Sequence, residues 1–201
     1  MNFEFSRRSF LASGAAAACI AATASPSYAL SENEARRLID QAVTEINSVI
    51  NSGQSERAMI GRFESIFNKY ADVSTMARSA LGPPARGASS AQIRSFTKAF
   101  SGYMARKYGK RFREFIGGSI EVTGARAVNS FQEVTAVARL RGHSPFAVSF
   151  IVSDRSGRNK FFDLRIEGIS LLKSERVEIG AMLDRRRGDI DALIGDLQRT
   201  G

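Results

Sequence analysis

Apolar residues recur every three or four positions through the first half of the chain, the spacing typical of amphipathic helices. One such stripe runs over residues 35–50 and a second over 59–70. A shorter one covers residues 73–81, and a long one extends from Ile93 to Ile116. These stripes predict two helices, a short helical segment and a long third helix.

Cap and stop residues separate these stripes. Ser55 and Asp72 stand before two of them, and Ser89 with Gln92 has the spacing of a capping box. Gly82-Pro83-Pro84 predicts the end of the short segment, because proline has no N–H to donate into a helix. Gly117-Gly118 predicts the end of the long helix.

After Gly118 the period changes to two, which predicts β-strands at 119–128, 131–141, 146–153 and 159–172. Short turn sequences join consecutive segments, so neighbouring strands are expected to pair antiparallel. The chain then returns to helix, with Asp189 as a cap. This order predicts an α+β fold: N-terminal helices packed on a curved four-stranded antiparallel sheet, followed by a C-terminal helix.

The first 29 residues have the order of an export signal. Arg7-Arg8-Ser9-Phe10-Leu11 has the twin-arginine pattern, an Ala-rich apolar run follows to residue 24, and Ser27-Tyr28-Ala29 offers small residues for signal peptidase. We therefore expect twin-arginine export to the periplasm and cleavage after Ala29. Residues 30–201 would then form a single domain.

Two alternatives for this segment remain. An uncleaved membrane anchor would need roughly 20 apolar residues, and the run is shorter. A lipoprotein would carry its acyl group on Cys19, but Ala16 occupies the position where that signal needs a bulky aliphatic residue.

Composition limits the chemistry of the exported form. Cys19 is the single cysteine of the chain, so a form without residues 1–29 has no disulfide, thiolate nucleophile or cysteine metal site. The net charge of +9 becomes +8 without Arg7, Arg8 and Glu4. A cationic protein that binds anionic envelope surfaces is therefore one hypothesis. The charges are scattered, however, and nothing in the pattern indicates nucleic-acid binding.

The search for catalytic residues yields one weak pair. The single histidine, His143, lies in a predicted turn, and no phosphate-binding loop follows a strand. Asp163 and Glu167 lie four residues apart in the predicted fourth strand and could act as an acid–base pair, which defines an alternative enzyme hypothesis. The expectation is otherwise no enzyme, no metal and no cofactor.

Large side chains on the helices face predicted inward sheet positions that are often small. Such a pattern fits either a packed core or a hollow between helices and sheet, and the residues alone leave both open.

The segment from Phe161 to Leu172 carries an Asp-x-x-x-Glu-Gly-x-Ser element, followed by Arg176 and by the segment 188–194. Together with Ala80-Leu81-Gly82, it resembles the MlaC (toluene-tolerance auxiliary) family over roughly residues 35–198. The family comprises periplasmic phospholipid carriers, and some members are linked to hopanoid lipids. One departure is Pro83-Pro84-Ala85-Arg86, where the family usually has an aromatic residue.

The resemblance implies a cone resembling nuclear transport factor 2, with lipid acyl chains held between helices and sheet. It also implies partners: an inner-membrane lipid ABC transporter complex, an outer-membrane lipoprotein complex and transient membrane contact. Asp163, Gly168, Ser170 and Arg176 match the family element and are expected to be structural. The residues expected to line a lipid pocket are Phe100, Met104, Tyr108, Phe112, Ile116, Val134, Ala136, Ala138, Val148, Phe150, Leu164 and Ile166.

Overall fold

The computed structural model describes residues 30–110 and 112–201. The predicted export signal, its cleavage site and Cys19 lie outside the described residues. The helices are α1 (Glu32–Ile50), α2 (Glu56–Tyr70), α3 (Val73–Leu81), a 3-10 turn (Pro83–Arg86), α4 (Ser90–Gly109), α5 (Phe112–Phe115), α6 (Leu171–Arg185) and α7 (Ile190–Arg199). The strands are β1 (Ser119–Val128), β2 (Phe131–Arg139), β3 (Phe146–Ser153), β4 (Lys160–Ile166) and β5 (Ile169–Ser170).

The strands form one antiparallel sheet in the order β1-β2-β3-β4-β5. Helix α1 packs on β1 and β2, α3 and α6 pack on β4, and α2 and α7 pack on α4. Helices α1 to α5 precede the strands, α6 and α7 follow them, and the strands form a simple meander. The predicted α+β architecture is confirmed, with a fifth strand added to the predicted four.

Polar caps begin the helices as the sequence predicts. The backbone N–H of Gln92 donates to Ser89 Oγ, and the Ser89 N–H donates to Gln92 Oε1, which completes the capping box of α4. Ser55 and Asp72 accept from the first turns of α2 and α3 in the same way. Each cap satisfies N–H groups that have no partner within the helix.

The prediction of one strand over residues 159–172 was wrong. The chain turns at Glu167 and Gly168, whose φ angles are +49° and +78°. Positive φ at both central residues is the requirement of a two-residue type I′ hairpin, and glycine meets it without strain. Ile169 pairs back onto Ile166, and the helix α6 begins at Leu171.

The predicted long helix over 93–116 is also interrupted, since α4 ends at Gly109. A Cβ at Gly109 would lie 2.8 Å from Ile60 Cγ1, so the glycine permits close contact between α4 and α2. In the described part of the chain, no helix is both long enough and apolar enough to cross a bilayer.

The buried carboxylate of Asp163 joins the β4–β5 hairpin to α6. Its Oδ2 accepts from Ser170 Oγ at 2.7 Å and its Oδ1 from the Leu172 N–H at 3.1 Å. Ser170 Oγ in turn caps α6 by accepting from the Lys173 N–H. The family-like element at 163–170 therefore fixes where the sheet ends and the last helices begin.

Replacing Asp163 with alanine is expected to lower the free energy of unfolding by about 2–3 kcal/mol, because a buried N–H loses its partner and the cap of α6 is loosened. Urea unfolding measures this value. Asp184→Ala serves as the control, because Asp184 is an exposed carboxylate on α6, the helix that Asp163 helps to hold. This variant should stay within about 0.5 kcal/mol of the wild type. Equal losses for both variants would contradict the assigned role of Asp163.

Candidate functional site

A cavity of about 440 Å³ lies between the helices and the inner face of the sheet. Its volume is in the range of small-molecule sites in proteins. The lining is contributed by α1 to α5, by the strands β1 to β4, by the β2–β3 connection and by the first residue of α6. The lining residues are Ala42, Ile46, Phe63, Ile66, Phe67, Met76, Met104, Tyr108, Glu114, Phe115, Ile120, Ala138, Leu140, His143, Ser144, Phe146, Val148, Phe150, Phe161, Leu164, Ile166 and Leu171.

Aromatic side chains form much of one wall. Phe161 on β4 meets Phe150 edge-on, with 5.5 Å between ring centroids, and meets Phe67 of α2 at 6.2 Å. Phe115 and Phe146 form a second edge-on pair at 6.4 Å. These distances and angles are favourable for aromatic pairs. The rings hold one another in place and leave an apolar surface facing the cavity.

The exposed polar lining residues gather at one end of the sheet. His143 and Ser144 belong to the β2–β3 connection, and Glu114 lies on α5. Ile166, at the end of β4, is 37% exposed and lies at the same end, because Val148 near the start of β3 pairs with it. The cavity thus has an apolar interior and a partly polar opening, an arrangement suited to an amphipathic ligand.

A buried polar network supports the wall at Tyr108. The Tyr108 hydroxyl donates to Glu175 of α6, a residue with no exposed surface. Lys107 donates to Glu175 Oε1 at 2.7 Å and to Glu178 Oε2 at 2.5 Å, and Tyr103 donates to Glu178 Oε1 at 2.8 Å. The network ties the C-terminal half of α4 to α6.

Burial and hydrogen bonding shift the pKa values of four groups in this network, Tyr103, Lys107, Tyr108 and Glu178. Burial, and then the hydrogen bonds to carboxylates, raise the pKa values of Tyr103 and Tyr108 well above the usual range, so both hydroxyls remain donors. Burial alone would lower the pKa of Lys107, but its bonds to Glu175 and Glu178 outweigh that effect and raise it. Burial pushes the pKa of Glu178 up, and its bonds from Lys107 and Tyr103 bring it below the usual value.

Seven of the twelve residues expected to line a lipid pocket do line this cavity. They are Met104, Tyr108, Ala138, Val148, Phe150, Leu164 and Ile166. That they contact a lipid stays a prediction.

Four of the other five, Phe100, Ile116, Val134 and Ala136, do not line the described cavity. Phe100 stacks on Phe96 at 6.2 Å in the core, and α1 packs over β2, where Val134 and Ala136 are buried. Ile116 is 49% exposed, because the break at Gly109 removes it from the helical stripe. The side chain of Phe112 lies outside the described residues.

Sequence reasoning missed the lining from α1 and α2, from α3 and from several strand ends. The apolar stripes identified most of these side chains as buried, but a stripe does not distinguish a residue that packs against a neighbour from one that faces a hollow. The missed apolar residues are Ala42, Ile46, Phe63, Ile66, Phe67, Met76, Phe115, Ile120, Leu140, Phe146, Phe161 and Leu171.

The hypothesis of an Asp163–Glu167 acid–base pair on one strand face was wrong. Glu167 lies in the hairpin turn and accepts from the Ala147 N–H, while Asp163 is buried and bonded to Ser170 and Leu172. Both carboxylates serve backbone structure. Within residues 30–110 and 112–201, no group of three His, Cys, Asp or Glu side chains is placed to hold a metal ion.

Lys107→Met is expected to lower the free energy of unfolding by about 2 kcal/mol or more, because it leaves Glu175 as a buried charge without its cation. The exposed Lys98→Met on the same helix should cost less than about 0.5 kcal/mol. Adding Glu175→Gln to Lys107→Met should recover part of the loss in urea unfolding.

Two results would contradict this assignment: a Lys107→Met loss equal to that of Lys98→Met, or no recovery in the double variant.

The depressed pKa of Glu178 also makes the stability of the protein depend on pH. Its contribution to stability is present above the unfolded-state pKa of about 4.3 and is lost as the pH falls through the lower folded-state value.

Comparisons with known proteins agree with this architecture. The model of the family described as "MlaC protein" matches residues 39–199 of this chain. Seven chains of solved structures match the fold, among them a phospholipid-binding protein from Ralstonia solanacearum in complex with a phospholipid. That structure has a TM-score of 0.70 and 17% sequence identity, and covers 82% of this chain and 95% of its own. A search of curated proteins gave no significant match. The family match over most of the chain shows that this protein belongs to the MlaC family.

Proposed function

We propose that this protein is a periplasmic phospholipid carrier that holds acyl chains in the cavity between its helices and sheet. The observation that carries the proposal is an apolar, partly open cavity of about 440 Å³ in a chain of the MlaC family. The fold is similar to that of the phospholipid-binding protein from Ralstonia solanacearum, which was solved with a phospholipid bound.

Burial of the acyl chain supplies the binding energy. Each buried CH₂ contributes about 0.8 kcal/mol, so a chain of about 16 carbons gains on the order of 12 kcal/mol before the cost of ordering it. Affinity therefore does not require a strong grip on the headgroup. The headgroup would lie at the polar opening, near Glu114, His143 and Ser144, where it stays in water.

A carrier must also release its cargo. In this proposal the protein takes lipid from one membrane system and delivers it to the other, with an inner-membrane lipid ABC transporter complex and an outer-membrane lipoprotein complex as partners. Contact with the membranes themselves is transient. The proposal involves no catalytic step, and the structure instead has Asp163 bonded to Ser170 and Glu167 bonded to the Ala147 N–H.

Leu164→Glu is expected to abolish lipid uptake, because an acyl chain that covers the carboxylate would remove it from water at a cost of several kcal/mol. Ile169→Glu is the matched control. Ile169 lies on the neighbouring strand, is 68% exposed and does not line the cavity, so uptake should stay within about twofold of the wild type. Uptake is measured as transfer of labelled phospholipid from liposomes to the purified protein, with thermal unfolding as a check of folding.

Solvent extraction of the wild-type protein, followed by mass spectrometry, identifies the bound lipid. Phospholipid is the expected species. A hopanoid would move the assignment to the hopanoid-linked branch of the family. No bound lipid together with no uptake from liposomes would refute the carrier proposal.

Export by the twin-arginine route is part of the same proposal. Replacing Arg7 and Arg8 with lysine is expected to leave the protein in the cytoplasm at its full length, because the route reads the arginine pair. Cell fractionation and intact-mass measurement test this, and the wild type should begin at Leu30. Periplasmic, processed protein in the Arg7→Lys/Arg8→Lys variant would exclude the twin-arginine route, and acylated Cys19 would indicate a lipoprotein.

A further inference from the structure

A second concave site lies at the C-terminal end of α3, where the chain passes through the 3-10 turn into α4. This basic groove has a volume of about 610 Å³. Its lining includes Arg78, Ser79 and Gly82 from the end of α3, Ala85 and Arg86 from the 3-10 turn, and Ile93 of α4. It shares no lining residue with the lipid cavity.

Gly82 brings a third arginine to the groove. Its φ and ψ angles of +71° and −144° lie close to a region that is almost restricted to glycine. An added Cβ would lie 3.4 Å from Nε of Arg176, so the guanidinium group from α6 packs directly against this residue. Gly82 and Arg176 both belong to the family-like segments of the sequence, and neither lines the lipid cavity.

The three arginines have no anionic partner within the described residues. Arg78, Arg86 and Arg176 are exposed, and none of them takes part in an ion pair or side-chain hydrogen bond. Other arginines of the fold are paired, as in the two-bond contact of Arg186 with Asp196 at 2.6 and 2.7 Å. Two unpaired arginines in the lining and a third against Gly82 make this concavity positively charged.

We propose that the basic groove binds an acidic segment of a protein partner. Guanidinium groups are suited to this because each can form two parallel hydrogen bonds to a carboxylate, which a lysine cannot do. The seryl hydroxyl of Ser79 adds a polar contact, and the aliphatic side chains of Ala85 and Ile93 supply an apolar floor. The groove therefore fits a short Asp/Glu-rich strand or loop.

The shape of the site favours a peptide over a membrane surface. A lipid bilayer presents a broad face, whereas Arg78 and Arg86 line a recess and Arg176 lies against its Gly82. Four large hydrophobic side chains in the described part of the chain are exposed, namely Ile116, Ile166, Ile169 and Val177, and none of them lines the groove, although Val177 follows Arg176 on α6. The groove rim instead carries the exposed Pro83 and Pro84, which hold the turn in a fixed backbone shape.

The test compares two triple variants of the purified protein that remove the same charge. Arg78→Gln/Arg86→Gln/Arg176→Gln neutralises the groove, and Arg37→Gln/Arg57→Gln/Arg62→Gln neutralises three exposed arginines on α1 and α2. The probe is a fluorescent peptide of alternating Asp and Glu, six residues long, at an ionic strength of about 0.15 M, which screens long-range attraction. Phosphatidylglycerol vesicles are the second probe.

The groove variant is expected to weaken peptide binding by roughly tenfold, as the loss of three modest charge contacts implies, and the control variant by less than about twofold. Amide chemical-shift changes on peptide addition should centre on residues 78–93 and 176. Equal weakening in both variants, shifts spread over the surface, or no peptide binding by the wild type would overturn the proposal. Selective loss of vesicle binding without selective loss of peptide binding would assign the groove to the membrane instead.

Discussion

The structure depends on keeping a cavity open in a domain of modest size. If the space were closed and dry, a penalty of about 24 cal/mol per Å³ would amount to roughly 10 kcal/mol for about 440 Å³, comparable with the whole stability of a typical domain. The opening at Glu114, His143 and Ser144 avoids that state, because solvent or a ligand can fill the space. The surrounding walls must then be held in place by contacts that do not cross the cavity.

The contacts that hold the walls in place lie outside the cavity, between neighbouring elements. Asp163 fixes the end of β4 and the start of α6 through Ser170 and Leu172. Lys107 and Glu175 join α4 to α6 and hold Tyr108 at the cavity surface. The polar groups are thus kept out of the apolar interior, where an unpaired charge would oppose an acyl chain. Helix caps and buried hydrogen bonds thus hold the walls together with the packed core, which includes Phe96, Phe100 and Val134.

The sequence predicted the elements better than it predicted the site. The stripes and the caps at Ser55, Asp72 and Ser89 located the helices, since both signals are local. The breaks at Gly109 and at Glu167-Gly168 were missed, because the apolar spacing continues across the first and alternation continues across the second. Lining residues such as Phe67 and Phe161 were missed because hydrophobicity records burial and carries no information on which side of a buried residue is empty.

The basic groove had no hydrophobic signal at all, since its arginines come from three segments that only the fold brings together. Its position has a further consequence. Helix α3 contributes Met76 to the lipid cavity and Arg78 to the groove, while α6 contributes Leu171 to the cavity and places Arg176 against Gly82 of the groove lining. A partner in the groove therefore rests on the same two helices as the lipid. Binding at one site can change the affinity at the other only if α3 and α6 have more than one arrangement. Each ligand must also bind one of those arrangements more tightly than the other.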